Sequence, residues 1–242
     1  MYKRQIQYCD EVKADGFDLV DDFSDLFGMN AAGTDAKMRN TKESILEAQF
    51  TSGAGNWCTW MFGRDLVNWN NNFTWAKWVT PSRDLISTFK QEGDEVRFKE
   101  SVVYYDCGWS NYYPSDNYPF MYKCRSANSS IIKYRYADVL LLKAEALIMQ
   151  DTPDLEGAAD IIDEVRDRAK LGALPTSVRS NKNVLLNALL KERRLELAFE
   201  GQRWFDLVRL DKVEEVMNAV YAKDSGLSLI HISEPTRRVV IS

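Results

Sequence analysis

The stretch Glu192 to Leu210, ERRLELAFEGQRWFDLVRL, decides how the rest of the chain is read. Leu195, Leu197, Phe199, Trp204, Phe205, Leu207 and Val208 recur at helical spacing on either side of Gly201. Gly201 lacks a Cβ, so it can take the left-handed conformation that ends one helix before another begins near Gln202. Charges fill the remaining positions: Glu192, Arg193, Arg194, Glu196, Glu200, Arg203, Asp206 and Arg209. Arg193–Glu196 and Asp206–Arg209 are i,i+3 pairs, and a turn would carry Arg203 and Arg209 back toward Glu196 and Glu200. Carboxylates flanked by arginines stay ionised, which suits a structural bracket better than a proton shuttle.

Upstream, Tyr134 to Leu147 reads YRYADVLLLKAEAL. Tyr136, Leu140, Lys143, Ala144 and Leu147 recur at helical spacing, and Ala137, Ala144 and Ala146 permit close helix contact. Thr152 with Pro153 reads as a cap followed by proline in the first turn. The partner helix, Leu155 to Lys170, carries Ala158, Ile161, Ile162, Val165 and Ala169 on one stripe, and Gly172 follows it. Asn183–Glu200 and Gln202–Leu210 make a second pair, and Val213–Ala222 one more helix. Such hairpins are the unit of tetratricopeptide arrays.

Taken together, the two stretches resemble the paired signatures of the RagB/SusD family: Arg135, Tyr136 and Glu145 in the first, Glu192, Arg193, Glu196, Glu200, Gly201, Arg203, Asp206 and Arg209 in the second. The resemblance implies a mostly α fold, a helical-repeat spine carrying a loop-rich lobe with a few short strands. It also implies a nutrient-binding lipoprotein on the outer membrane surface of Bacteroidetes-type bacteria, partnered with a SusC-type TonB-dependent transporter. Residues 1–15 then read as the end of an N-terminal repeat helix, 17–132 as the ligand lobe and 134–222 as the helical part.

Ile6, Cys9 and Val12 share a face of that first helix, whose repeat partners would lie upstream. Met1-Tyr2-Lys3-Arg4 opens no apolar leader, so the expectation is the middle and C-terminal part of a longer family member. Its lipid anchor would lie in the missing part. Residues 225–242 include LSLIHISEPTR, which resembles a translated sequencing adapter and is set aside as a non-native tail.

The lobe opens with Phe17–Phe27, a connector of apolar and acidic residues. Thr41–Phe50 and Val102–Tyr105 read as strands, and Pro81 opens a helix capped by Thr80 or Ser82, buried through Leu85, Ile86 and Phe89 and ended at Gly93-Asp94. Two stretches between these elements are aromatic and aperiodic. One holds Trp57, Trp60, Trp69, Trp75 and Trp78; the other holds Trp109, Tyr112, Tyr113, Tyr118, Phe120 and Tyr122 among Asn111, Ser115, Asp116 and Asn117. Rings on loops are costly to leave in water unless they pack or bind something. Sugar faces stack on such rings while amides and charged groups bond the hydroxyls. Trp109, Tyr112 and Tyr113, with Trp69 and Trp57 behind them, are therefore the candidate ligand contacts, and Trp75 and Trp78 are read as core.

Composition excludes several alternatives. The 242-residue chain has 45% hydrophobic and 28% charged residues and a net charge of −5, which argues against a nucleic-acid footprint. Its one histidine, His231, lies in the tail, so no Ser–His, Cys–His or histidine–metal chemistry is expected, nor any metal or cofactor. Cys9, Cys58, Cys107 and Cys124 show no zinc spacing, and Cys107 and Cys124 are either a disulfide across the second aromatic loop or buried thiols. The expected function is non-catalytic capture of oligosaccharides and their delivery to the transporter. The competing readings are a helical glycoside hydrolase with paired carboxylates and a helical-repeat adaptor.

Overall fold

The computed structural model describes residues 2–51, 54–57, 79–106 and 113–223. Their contacts form two units, Met1–Arg203 and Trp204–Ser242. The first holds helices α1 (Tyr2–Ala14), α2 (Ser24–Phe27), α3 (Arg83–Glu92), α4 (Glu95–Ser101), α5 (Tyr136–Met149), α6 (Leu155–Arg168), α7 (Thr176–Arg179) and α8 (Lys182–Glu196). It also holds strands β1 (Ser44–Ala48), β2 (Val102–Tyr105), β3 (Tyr118–Met121) and β4 (Ile131–Arg135). Helix α9 (Arg203–Arg209) crosses into the second unit, which continues with α10 (Val213–Lys223). The fold is mostly helical with a few short strands, as expected.

α5 is the centre of the spine, packing against α1, α6 and α8. Its mean hydropathy is high because most of its faces are covered. Ala137, Ala144, Ala158 and Ala159 are fully buried with Leu141, Ile148, Ile162, Val165, Leu185 and Leu189. Methyl side chains at those positions let α5 and α6 approach closely, and the branched residues fill the space that remains. Each such Leu or Ile contributes about 2–5 kcal/mol relative to alanine. α1 buries no residue completely, so its apolar face is only partly covered.

The lobe is held by two antiparallel strand pairs. β2 pairs with β3, Val102 opposite Met121 and Tyr105 opposite Tyr118. β1 pairs with β4, Ser44 opposite Arg135 and Ala48 opposite Ile131, with register shifts on either side of Leu46. Strand β4 runs directly into α5, so Tyr134 and Arg135 are strand residues where the sequence pattern places a helix start. Residue alternation over so few positions does not separate the two. The helix after Asp94 was not expected either. The Asp94 side chain accepts from the Arg97 backbone N–H at 3.1 Å and starts α4 where Gly93, at φ 68°, ends α3.

The structure chooses between the two candidate caps of α3 and replaces the one expected for α6. Ser82, not Thr80, caps α3, accepting from Leu85 N at 3.1 Å. Asp154, not Thr152, caps α6, accepting from Gly157 N at 2.9 Å. Three residues between cap oxygen and donor is the spacing a capping side chain needs. α8 ends at Glu196 rather than Glu200. Phe199 at φ 66° and Gly201 at φ 84° bend the chain toward α9. Among the described residues no helix is long and apolar enough to cross a membrane.

Candidate functional site

The bracket foreseen in the ERRLEL stretch exists, but with other partners. Glu196, fully buried, does not pair with Arg193. Its Oε2 accepts from Arg97 at 3.0 Å and its Oε1 from Arg135 at 2.5 Å and from Arg168. Arg193 extends instead to Asp138 at 2.8 Å. Arg193 and Glu196 are both buried, but they point at partners on different elements, Asp138 of α5 for the first and Arg97, Arg135 and Arg168 for the second. Glu200 accepts from Arg135 Nε at 2.7 Å and from Lys123 at 2.6 Å. Arg203 donates to the Leu190 carbonyl at 2.9 Å, not back toward Glu196 or Glu200, whose faces are already filled. Asp206 and Arg209 form their expected pair at 2.9 Å.

Glu43, just ahead of β1, is also buried. It accepts from Arg135 and Arg168, both at 2.6 Å, and from Val20 N at 3.0 Å. Arg97 completes the cluster with Asp94 and Glu192, each at 2.6 Å, and Arg166 reaches Glu192 at 3.1 Å. Asp94, Glu43, Glu192, Glu196 and Glu200 thus face Arg97, Lys123, Arg135, Arg166 and Arg168, and charge balances inside the fold. The rings of Phe23 and Phe27 close one side, with the Lys123 ammonium 4.7 Å from the Phe27 centroid. The cluster thereby ties Glu43 ahead of β1, Arg97 of α4 and Lys123 after β3 to Arg168 of α6 and to Glu192 and Glu196 of α8.

Burial alone pushes the Glu196 carboxyl up, but Arg168, Arg135 and Arg97 more than offset it and hold it well below its ordinary value. Glu200 is lowered the same way by Arg135 and Lys123. Lys123 moves down to about 8, because full burial outweighs the Glu200 charge and Arg135 repels it. Carboxylates locked in this manner hold no exchangeable proton near neutrality, so they fix geometry and do no acid–base work.

The candidate ligand residues separate. Trp69, Trp109 and Tyr112 lie outside the described residues, as do Trp60, Trp75, Trp78, Cys58 and Cys107. Cys124 is buried, with Sγ 3.5 Å from Asn56 Oδ1. Trp57 stands 70% exposed beside Asn56, whose buried amide donates to the carbonyls of Ser126, Ala127 and Ser129. That anchored loop presents an indole to solvent from a fixed base. Tyr113 is half-buried: its Oη donates to the Pro81 carbonyl at 2.8 Å and its ring meets Tyr118 edge-on at 5.6 Å.

Tyr113 lines an open cleft of about 480 Å³ with Arg83, Ile86, Ser87, Lys90 and Gln91 of α3, Tyr104 of β2, Pro114 and Asn117. The Arg83 guanidinium lies 5.4 Å from the Tyr113 centroid. Partial burial raises the Tyr104 hydroxyl above its ordinary value, so it remains a neutral donor. Arg83, Ser87 and Lys90 at i, i+4 and i+7 were legible as one helical face; nothing in the sequence said that the 104 and 113 tyrosines stand opposite it.

Comparison with known proteins agrees with this architecture. Residues 117–228 match the SusD family. SusD-like protein P38 of Formosa agariphila is 43% identical over 99 residues, 38% of this chain and 19% of that protein. NanU of B. fragilis superposes with TM-score 0.65 at 22% identity, covering 88% of this chain and 52% of its own. Surface glycan-binding protein A from Bacteroides thetaiotaomicron, solved with laminarihexaose, gives 0.63 at 18%, covering 87% and 50%. At such identities the solved structures establish the fold alone, and this chain spans about half their length.

Proposed function

We propose that this chain, a member of the SusD/RagB family, belongs to a protein that captures oligosaccharides without cleaving them. The observation that carries the reading is the cleft between α3 and Tyr113, which sets tyrosine rings beside the Arg83, Gln91 and Asn117 side chains. Flat ring faces suit the apolar side of a sugar, and the polar groups around them suit its hydroxyls. Trp57 adds an exposed ring elsewhere on the lobe, and Trp69, Trp109 and Tyr112 complete the proposed contact set. The division into a ligand lobe, residues 17–132, and a helical part, residues 134–222, belongs to the same proposal.

No carboxylate is among the described residues lining the cleft, and Glu196 and Glu200 are held by arginines and Lys123 in the buried cluster. A hydrolase would need two carboxyl groups on either side of the scissile bond. Display on the outer membrane surface and delivery to a SusC-type transporter follow from the family and complete the proposal.

Affinity electrophoresis against a panel of soluble glycans tests it. Retardation by at least one, weakened by Trp57→Ala or Gln91→Ala without release of reducing ends on long incubation, is the expected result. Absence of retardation by every glycan would overturn capture of sugars, and accumulating reducing ends would overturn the non-catalytic role.

A further inference from the structure

A separate pocket of about 430 Å³ lies between the end of α2, β3, β4 and the turn that follows α8. Its volume is in the range of small-molecule sites, about 300–1,000 Å³. Its lining shares no residue with the cleft beside α3. The walls are carbon: Phe27, Val79, Met121, Ile131, Ile132 and Phe199. Most of the polar side chains around them are committed to the protein. The Lys123 ammonium donates to Glu200 Oε1 at 2.6 Å and to the Glu196 carbonyl at 2.8 Å. Glu200 also accepts two bonds from Arg135, at 2.7 Å and 2.8 Å. Arg39 donates to Ser130 Oγ at 2.8 Å, and Cys124 Sγ lies against Asn56 Oδ1. Little is left there for the hydroxyls of a sugar. Lys133 is the exception. It is exposed, which sets it at the mouth, and it makes no ion pair among the described residues.

We infer that this pocket is a second binding site, for an alkyl carboxylate whose chain lies against Phe27, Ile131 and Phe199 and whose carboxylate meets Lys133 at the mouth. The site goes beyond sugar capture and does not depend on it. A chain of methylenes needs no hydrogen bond from the walls, so the committed polar groups at the base cost it nothing. Each methylene that enters gains about fourfold in affinity. The carboxylate stays at the surface, where Lys133 attracts it without either group losing its water. That contact is screened, so the charged part of the affinity weakens as salt rises while the methylene part does not. A neutral chain keeps only the second part, and a cationic chain is repelled at the mouth.

The test is displacement of a dansylated undecanoate from the full 242-residue chain by hexanoate and octanoate, with octanol and octylammonium as the neutral and cationic forms of the longer chain. Octanoate should bind about fifteenfold tighter than hexanoate, fourfold for each of two methylenes. K133Q should weaken octanoate about fivefold at low salt, as for an exposed charge contact, and leave octanol unchanged. I131W and V79W replace half-buried wall residues with an indole and should abolish binding of both. R4Q is the control, because the apolar groove between α1 and α5, lined by Arg4, Tyr8 and Leu142, also carries a cation; it should change nothing. Thermal melts check the tryptophan variants, and K133Q, an exposed substitution, reads the charge contact whether or not they fold. Octanol binding as tightly as octanoate would overturn the carboxylate assignment. Weakening by R4Q and not by K133Q, or no binding of any of these chains, would overturn the site. Neither result bears on sugar capture, which is read with glycans at other residues.

Discussion

Arg135 holds Glu196 twice: its Nη1 donates to the carboxylate at 2.5 Å, and its Nη2 donates to the carbonyl of the same residue at 2.7 Å. One guanidinium thereby fixes both the side chain and the backbone of the last residue of α8, while also reaching Glu43 and Glu200. The end of β4 is tied to the end of α8.

Breaking this contact from one side should be severe. Arg135→Met leaves Glu43, Glu196 and Glu200 short of a buried cation, and the cost of removing one partner of a buried pair is about 3–5 kcal/mol. Glu196→Gln keeps the shape and removes one charge while three cations remain, so it should also destabilise. Urea midpoints of the two variants, measured with unchanged m-values, check both. A loss below about 1 kcal/mol for Arg135→Met would show that the cluster does not hold the fold.

Acid should loosen the buried charge cluster. The Glu196 and Glu200 carboxyls are depressed in the folded protein, so the unfolded chain binds their protons first as pH falls. Their contribution is fully present above the ordinary glutamate range, about 4.5, and is lost as pH falls through the folded values. Melting temperature against pH should fall below pH 4.5 in the native chain and fall less steeply in Glu200→Gln.

Lys123 gives the same direction of pH dependence in a higher window, because folding lowers its pKa too. Its pKa drops from 10.5 to about 8 on folding, so between those values the unfolded state carries the extra proton and stability rises with pH. The stability of the native chain relative to Lys123→Met should therefore increase from pH 8 to pH 10. Urea unfolding of both at a series of pH values isolates this group from other titrations. A flat difference would mean that the ammonium is as well solvated inside as in water.

The cap of α6 distinguishes two neighbours. Asp154→Ala should cost about 1 kcal/mol, because it removes the acceptor for Gly157 N. Thr152→Ala, two residues earlier, should cost almost nothing. Equal losses in thermal melts would mean that the helix starts where the Thr152-Pro153 pattern suggests.

Tight packing between α5 and α6 is open to a direct check. Ala158 and Ala144 are fully buried among larger residues, so Ala158→Leu forces strain of about 1–3 kcal/mol. Ile162→Ala should lose about 2–5 kcal/mol by leaving a cavity. An Ala158→Leu variant as stable as the native chain would mean that the helices have room to separate.

The sequence alone determined what is local. Helical spacing in YRYADVLLLKAEAL and LEGAADIIDEVRDR marked α5, α6 and their buried stripe, and Gly201 marked the break after α8, because these depend on residues a few positions apart. It also singled out Glu192, Glu196 and Glu200 as part of a bracket, and Arg135 as part of the upstream signature. Only the tertiary structure decided whom they bracket. Glu43 meets Arg135 across 92 residues and Arg168 across 125, and Arg97 meets Glu196 across 99. Nothing in local spacing chooses among 31 basic residues at such separations. The cleft is of the same kind: Tyr113 could be listed from its loop, but Arg83, Lys90 and Tyr104 become its neighbours only once β2, β3 and α3 have packed. Short-range periodicity is written in the chain, whereas the pairing of buried charges and the facing of surface residues arise when distant segments bury their apolar faces together.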